Sequence, residues 1–541
     1  MTIVAWKPIV IERRTAQFSS IPSSWHLPES ILLAPPKNAL DTIRSCDLLT
    51  PQELEWTETT DVRTLVSLLA TRQVSSVELT TAFCKRAAIA QQLTRCLTEV
   101  FFERALAKAK ELDVSLERTG KVKGPLHGLP VSIKDRFDVE GFDTTVGWVG
   151  LVGKPAQKSS SVVQLLESMG AVLYVKTNVP QSLMMSDSYN HVFGQSVNAF
   201  NNELISGGSS GGEAALIGAK GSVLGIGTSI GGSIEIPANL QGLYSICPTT
   251  GRVPWDCSFM HQHYLVPPVA GPMSNNLSTI EYFMESLLDS SPWDIDPGCV
   301  PIPWRKELAA MPSKKLKLGI VYDDGVVKPQ PPVTRALHDA AAKLKAAGHE
   351  VVEWDATRHE PGTNLWTKAI LADGGQHCKD LCNLVGEPLI EGMVVGTPDD
   401  QLSMPERESL EEEKWSFQAS FLEQWKESGI DALLMPVLPW VGYRPKTWVV
   451  SSQWLGYTAL WNFLNYASVT IPVTKADLSL DQPGEDWVNY VPRNESDAFN
   501  HAQYDIELVK NMPVCLQFVG GRFGEEKAVA AAKVLDELMQ S

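Results

Sequence analysis

Hydrophobic and polar positions follow two rhythms along this chain. From residue 61, DVRTLVSLLATRQVSSVELTTAFCKRAAIAQQL spaces Val77, Ala82, Phe83, Ala87 and Ala90 at helical intervals. Ser75 and Glu78 have the spacing of a capping box there. VFFERALAKAKELDVSLE continues as a second helix. The rhythm then shifts to short apolar runs punctuated by glycine and proline. GPLHGLPVSIKD (124–135) holds a compact strand ending in a lysine, and SSSVVQLLESMGAVLYVKTNVP reads as helix, Gly170 stop and strand. KKLKLGIVY, VTRALHDAAAKLKAAGH and EVVEW form a strand, a helix and a second strand, the signature of a parallel βαβ unit. GIDALLMPVLP, YASVTIPV and MPVCLQFVGG read as later buried strands, and GEEKAVAAAKVLDELM as a terminal helix.

These elements predict one large α/β unit over 61–541, a mixed twisted sheet with helices on both faces. It divides into a helical lead-in (61–118), a glycine- and serine-rich core (119–270) and an α/β portion (271–541). Residues 1–60, with scattered prolines and the stretch LLAPPKNALD, read as an irregular arm. No period of repeated segments emerges.

Composition narrows the partners. The 541 residues are 44% hydrophobic, enough for a large core, and carry a formal net charge of −17 with no dense Lys/Arg run, so a nucleic-acid partner is not expected. Nine cysteines without a CxxC pair argue against a disulfide scaffold or zinc ribbon and fit a reducing compartment. MTIVAWKPIVIERR lacks the layout of a secretory signal, and no apolar run approaches a membrane span. The expectation is a soluble, cytoplasmic protein.

The chemistry lies in two glycine-serine stretches, SGGSSGGEAAL (206–216) and GTSIGGSIEIP (227–237). A phosphate loop would need Gly-Lys-Ser/Thr, which is missing, and Glu213 would face the phosphates. Gly207, Ser209 and Gly211 match the GxSxG elbow formally, but Ser209 follows the polar NAFNNELIS rather than a buried strand. A third reading joins both stretches to Lys134. Burial at the end of an apolar run lowers a lysine's pKa toward that of a useful base. A serine between base and nucleophile can relay a proton, and glycine amides can approach a developing oxyanion without obstruction.

GPLHGLPVSIKD, GGSSGGEAALIGAKGSVLGIGTSIGGSIEIPA and the gap between Ser209 and Ser233 resemble the amidase signature family of Ser-cisSer-Lys hydrolases. VLYVKTNVPQSLMM and MPVCLQFVGGRF extend the resemblance, over roughly 60–535, to fungal acetamidase-type amidases. The resemblance implies an α/β/α sandwich and hydrolysis of a small-molecule carboxylic amide to acid and amine or ammonia, with esters as side substrates. It implies Ser233 as nucleophile, Lys134 as base, and Ser209 as relay after a cis peptide bond. The backbone amides of Ile230, Gly231, Gly232 and Ser233 would form the oxyanion hole, Ser210 would support the network, and Leu183 would line the substrate pocket. No metal or organic cofactor is implied, and a homodimer is the family-level expectation.

Three positions depart from the family pattern. Ser229 stands four residues before the nucleophile where Asp is usual, Glu235 two after it where Arg is usual, and Cys247 in place of a lysine. Glu235 either lies near Lys134, favours the ammonium and weakens the base, or occupies a separate hydrogen-bonded pocket. The departures keep a catalytically silent binding protein open as an alternative, beside an amidotransferase subunit. They also suggest an unusual substrate such as a specialised metabolite, with SLMMSDSYN and CSFMHQHYLVPP as candidate linings of an apolar acyl pocket. His261 and His263 lack the acids or cysteines of a metal site, and Cys378 and Cys382 beside His377 read as helix packing. Cys247 and Cys257 lack a histidine partner, and LEEEKW reads as a solvated helix face.

Overall fold

The apolar runs bounded by glycine and proline become strands in the computed structural model, which describes residues 6–256, 265–450 and 453–540. β1 (Leu97–Val100), β2 (Pro130–Lys134) and β3 (Val172–Thr177) come first, then the short pair β4 (Tyr189–Asn190) and β5 (Gly194–Gln195). β6 (Leu224–Ser229), β7 (Tyr244–Cys247) and β8 (Val269–Ser274) bracket the second glycine-serine stretch. β9 (Lys317–Ile320), β10 (Glu350–Glu353), β11 (Ala432–Pro436), β12 (Ala467–Lys475) and β13 (Pro513–Gly521) complete the set.

Eleven strands form one sheet in the order β1-β3-β2-β6-β8-β7-β12-β13-β11-β9-β10. β3, β2 and β6 run parallel, as do β11, β9 and β10, while the strands between them pair antiparallel. The mixed sheet with flanking helices is the expected architecture. The predicted βαβ unit is β9, the helix Pro331–Ala346 and β10. The predicted capping box is complete: Glu78 N–H donates to Ser75 Oγ, and the Glu78 carboxylate accepts from Ser75 N–H. The terminal helix Glu525–Gln540 packs on β12 and β13. One apolar core runs from Ile21 through the sheet to Leu535. Among the described residues no helix is long and apolar enough to cross a membrane.

The amino-terminal segment differs from the irregular arm expected. It forms helices at Trp6–Ser19, Glu29–Leu33, Ala39–Ser45 and Pro51–Glu58. Pro22, Pro28, Pro35 and Pro36 fall between helices, and Pro51 takes the first helical position, where its missing N–H costs nothing. Thr50 and Glu53 cap that helix reciprocally. Buried Arg86 then ties the segment to the core, donating to Thr57 Oγ1 at 2.8 Å, Glu58 Oε1 at 2.6 Å and Ala219 O at 2.8 Å. At the sheet's edge, Gln17 Nε2 donates to the carbonyls of Leu97 (2.8 Å) and Thr98 (2.9 Å) of β1, and Arg13 to that of Thr98 (3.0 Å).

The sheet itself sets up the site. β2 and β6 are parallel neighbours, Ser132 opposite Gly225 and Ile133 opposite Ile226, so their carboxyl ends emerge side by side. Chain reversals beyond strand carboxyl ends are where open α/β sheets build crevices.

Candidate active site

Lys134 is the last residue of β2 and is fully buried. Its Nζ lies 2.7 Å from Ser209 Oγ, 2.7 Å from Thr228 Oγ1 and 3.4 Å from Thr228 O, donating to each when charged. Burial holds its pKa well below the ordinary lysine range; nearby Arg136 lowers it further, and Glu213 opposes them. A second buried lysine makes the contrast. Lys176 Nζ forms an ion pair with Asp135 at 2.9 Å, and both side chains are fully enclosed. Among the described residues Lys134 has no ion pair; its partners are hydroxyls and a carbonyl.

Glu213 explains how a carboxyl tolerates this interior. Residues two apart on a strand share a face, so Ser132 and Lys134 point the same way. Ser132 donates to Glu213 Oε1, and Thr177 of β3 donates to Oε2 at 2.6 Å. Burial nevertheless pushes the Glu213 carboxyl up to about 7. Amine and carboxyl are both driven toward their neutral forms.

The first glycine-serine stretch brings Ser209 to the lysine. The Gly208–Ser209 peptide bond is cis, and a Cβ at Gly208 would stand 2.4 Å from Met185 O, so only glycine fits. The helix Gly211–Gly218 follows. Ser210 binds both flanks: it accepts from Thr228 N–H at 3.2 Å, and its own N–H donates to Ser233 O at 3.2 Å. Ser233 is thereby drawn beside Ser209. Among the described residues no direct hydrogen bond joins the two hydroxyls, and such bonds commonly tighten only once substrate is bound.

The second stretch is a turn whose peptide planes are pinned from outside. Trp366 Nε1 donates to Ile230 O at 2.8 Å, Thr458 Oγ1 to Gly231 O at 2.7 Å, and Ile236 N–H to Gly232 O at 2.8 Å. In a trans peptide the N–H points opposite the carbonyl, so the N–H groups of Gly231 and Ser233 are turned away from Trp366 and Ile236. Among the described residues no acceptor pairs with the amides of Ile230, Gly231 or Ser233. Gly232 N–H differs: it donates to Ser229 Oγ at 3.0 Å. Both glycines are required, since a Cβ at Gly231 would meet Trp366 at 2.4 Å and one at Gly232 would meet Thr458 Oγ1 at 2.2 Å.

Ser233, Ile230, Gly231 and Gly208 face a small cavity of about 30 Å³, walled by Leu183, Met184, Trp366 and Val394. Met184 and Val394 also border a chamber of about 730 Å³, lined by Trp148, Leu265, Ile370 and Leu381 among others. Leu183, Met184, Met185 and Ser186 of the SLMMSDSYN segment line the small cavity. Of CSFMHQHYLVPP, residues 257–264 lie outside the described residues, with His261, His263 and Cys257 among them, whereas Leu265 lines the chamber. Cys378, on the helix Gln376–Asn383, packs in the apolar cluster with Val146, Leu151 and Leu183. In LEEEKW, Glu411–Glu413 are exposed but Leu410 and Lys414 turn inward.

Glu235 occupies the separate pocket. Its Oε2 accepts from Ser229 Oγ at 2.9 Å and from Ile234 N–H at 3.3 Å, and its Oε1 from Ser468 Oγ at 3.4 Å. Asn462 Nδ2 donates to Cys247 Sγ at 3.7 Å, and Cys247 is hydrogen-bonded to Glu235. Burial raises the Glu235 carboxyl, and burial with the Glu235 charge pushes the Cys247 thiol well above its usual value, leaving it no nucleophile. The carboxyl that acts on Lys134 is Glu213. Thr228, Ser132 and Thr177 went unnoticed in the sequence, and Glu213 was weighed only against a phosphate loop, although a glutamate inside the run SGGEAAL signals a buried, partnered acid. Trp366 and Thr458 give no such signal.

The Amidase family model matches residues 78–529. Over 550 residues the chain is 34% identical to the acetamidase of Emericella nidulans, covering 99% of this chain and 98% of that protein. It is 37% identical over 493 residues to Amidase 1 of Gibberella moniliformis, covering 88% and 93%. Among solved structures, fatty acid amide hydrolase superposes with a TM-score of 0.91 at 31% identity, over 99% of this chain and 95% of that one. 6-Aminohexanoate cyclic dimer hydrolase, with a TM-score of 0.71 at 19% identity over 90% and 98%, shares the fold.

Proposed function

Because the chain belongs to the amidase family and is an amide hydrolase, we propose that Ser233, Ser209 and Lys134 carry the reaction as nucleophile, relay and base. The observation that carries this reading is the buried amine of Lys134, without a counter-ion among the described residues and 2.7 Å from Ser209 Oγ. Ser233 Oγ attacks the amide carbonyl carbon as its proton passes through Ser209 to Nζ. The carbonyl oxygen takes up negative charge against the amides of Ile230, Gly231 and Ser233, while Gly232 N–H serves Ser229. The C–N bond breaks as the departing nitrogen receives the proton, and water then cleaves the Ser233 ester by the same route in reverse. The expected test is covalent labelling: a fluorophosphonate modifies Ser233, and Ser233→Ala abolishes both labelling and turnover. A label on another residue, or turnover by the alanine variant, overturns the assignment.

The same geometry weighs against the silent protein, since Ser229, Glu235 and Cys247 form a network of their own and leave Lys134 its hydroxyl partners. The two cavities suggest a substrate that is smaller on the side of its amide facing the cavity beside Ser233 and bulkier on the other, with the chamber beyond Met184 and Val394 to receive it.

Lys134 must be neutral to accept the proton, so kcat/KM rises as pH climbs through its pKa. Ionised Glu213 favours the ammonium and raises that pKa. Glu213→Gln removes the negative charge and moves the acidic limb of the kcat/KM profile to lower pH. A shift to higher pH contradicts this coupling.

A further inference from the structure

Among the described residues five hydrogen bonds hold the turn 230–233, and four of them grip carbonyls, from Trp366, Thr458, Ile236 and Ser210. The fifth alone holds an N–H: Gly232 donates to Ser229 Oγ at 3.0 Å. Gly232 has φ +124°, a conformation open to glycine but not fixed by it, and its N–H lies between the amides of Gly231 and Ser233, which meet no acceptor among the described residues. Thr458 holds the carbonyl of the same peptide, so losing this anchor leaves that plane tethered on one side only and widens the directions open to the flanking N–H groups.

Ser229 is suited to the task by its own surroundings. A hydroxyl has one proton and two lone pairs. The proton goes to Glu235 Oε2 at 2.9 Å, with Asn462 Oδ1 farther away at 3.3 Å, which leaves a lone pair for Gly232. Glu235 is held in turn by Ile234 N–H, Ser468 and Cys247. We propose that Ser229 and Glu235 are positioning residues that fix the turn carrying Ser233 and its oxyanion donors, Glu235 acting through Ser229. Neither touches the reacting atoms, and the proposal rests on Ser233 as the nucleophile.

The test uses the full chain with a primary amide, and compares kcat with KM. Misdirecting oxyanion donors lowers kcat, so Ser229→Ala and Glu235→Ala should each cost roughly ten- to a hundredfold in kcat with KM within about threefold. Glu235→Gln, which keeps an acceptor for the Ser229 hydroxyl, should stay within about threefold of the parent, and the double alanine variant should be no worse than Ser229→Ala alone. If Ser229→Ala does not fold, Ser229→Cys keeps the shape with a weak acceptor and should show the same kcat loss. Hydrogen exchange at the Gly232 amide should quicken in either variant. A Ser229 variant with kcat within about twofold of the parent, or a rise in KM at constant kcat, overturns the proposal. Turnover that survives Ser233→Ala overturns the nucleophile instead, whatever the Ser229 variants do.

Discussion

Lys134→Met is expected to yield a folded protein whose kcat/KM for amides falls by roughly three orders of magnitude. Methionine matches the length of the lysine stem and is apolar, so it fills the same fully buried site without leaving a void. Ser209 Oγ and Thr228 Oγ1 each lose one partner, but no charge is stranded, because Lys134 balances no carboxylate in direct contact. On the proposed roles the loss falls on chemistry: Ser233 would keep its oxyanion donors and have nowhere to send its proton. Ammonia release reports the rate, and a thermal melt run alongside reports the fold. Turnover within about tenfold of the parent would mean that another group takes the proton.

Lys176→Met gives the opposite result. Lys176 lies one residue before Thr177, whose register partner is Lys134, and is just as deeply buried, yet it forms an ion pair with Asp135 and donates to Thr144 Oγ1 at 2.7 Å. Removing the ammonium leaves the Asp135 carboxylate enclosed with Thr145 as its remaining hydroxyl donor. Breaking a buried pair from one side costs about 3–5 kcal/mol. A large drop in the denaturation midpoint is expected, with any protein that stays folded keeping its Ser233 chemistry. An unchanged midpoint would show that Asp135 is relieved by other means. Two lysines on adjoining strands thus differ in role because of what faces them.

Much of this was legible in local sequence. The strand ending at Lys134, the Ser75–Glu78 cap and the β9–helix–β10 unit depend on periodicity and turn chemistry within a few residues. So do the glycines of both serine stretches, whose absent side chains make room for Met185, Trp366 and Thr458. What stayed hidden depends on register and on distant partners. Ser132 and Thr177 meet Glu213 because β2 and β3 pair in one particular alignment with a helix across them. Trp366 and Thr458 reach the turn from more than a hundred residues away. The amino-terminal helices were obscured by prolines that turned out to separate them, and of the helix Met404–Ser428 only the solvated face at LEEEKW was legible, its inward residues such as Leu410 and Phe421 being masked by a polar surface. The fate of Glu235 could not be read from its charge: its neighbours placed it in a pocket of hydroxyls, amides and a thiol.

The helix Trp6–Ser19 has a bearing on how the molecule behaves in company. Among the described residues β1 ends the eleven-strand order and pairs only with β3, so its outer carbonyls are the kind of open template that recruits a strand from a neighbouring molecule. Gln17 and Arg13 occupy the carbonyls of Leu97 and Thr98 with side-chain donors. With those carbonyls occupied, this edge offers fewer open acceptors to a neighbouring strand.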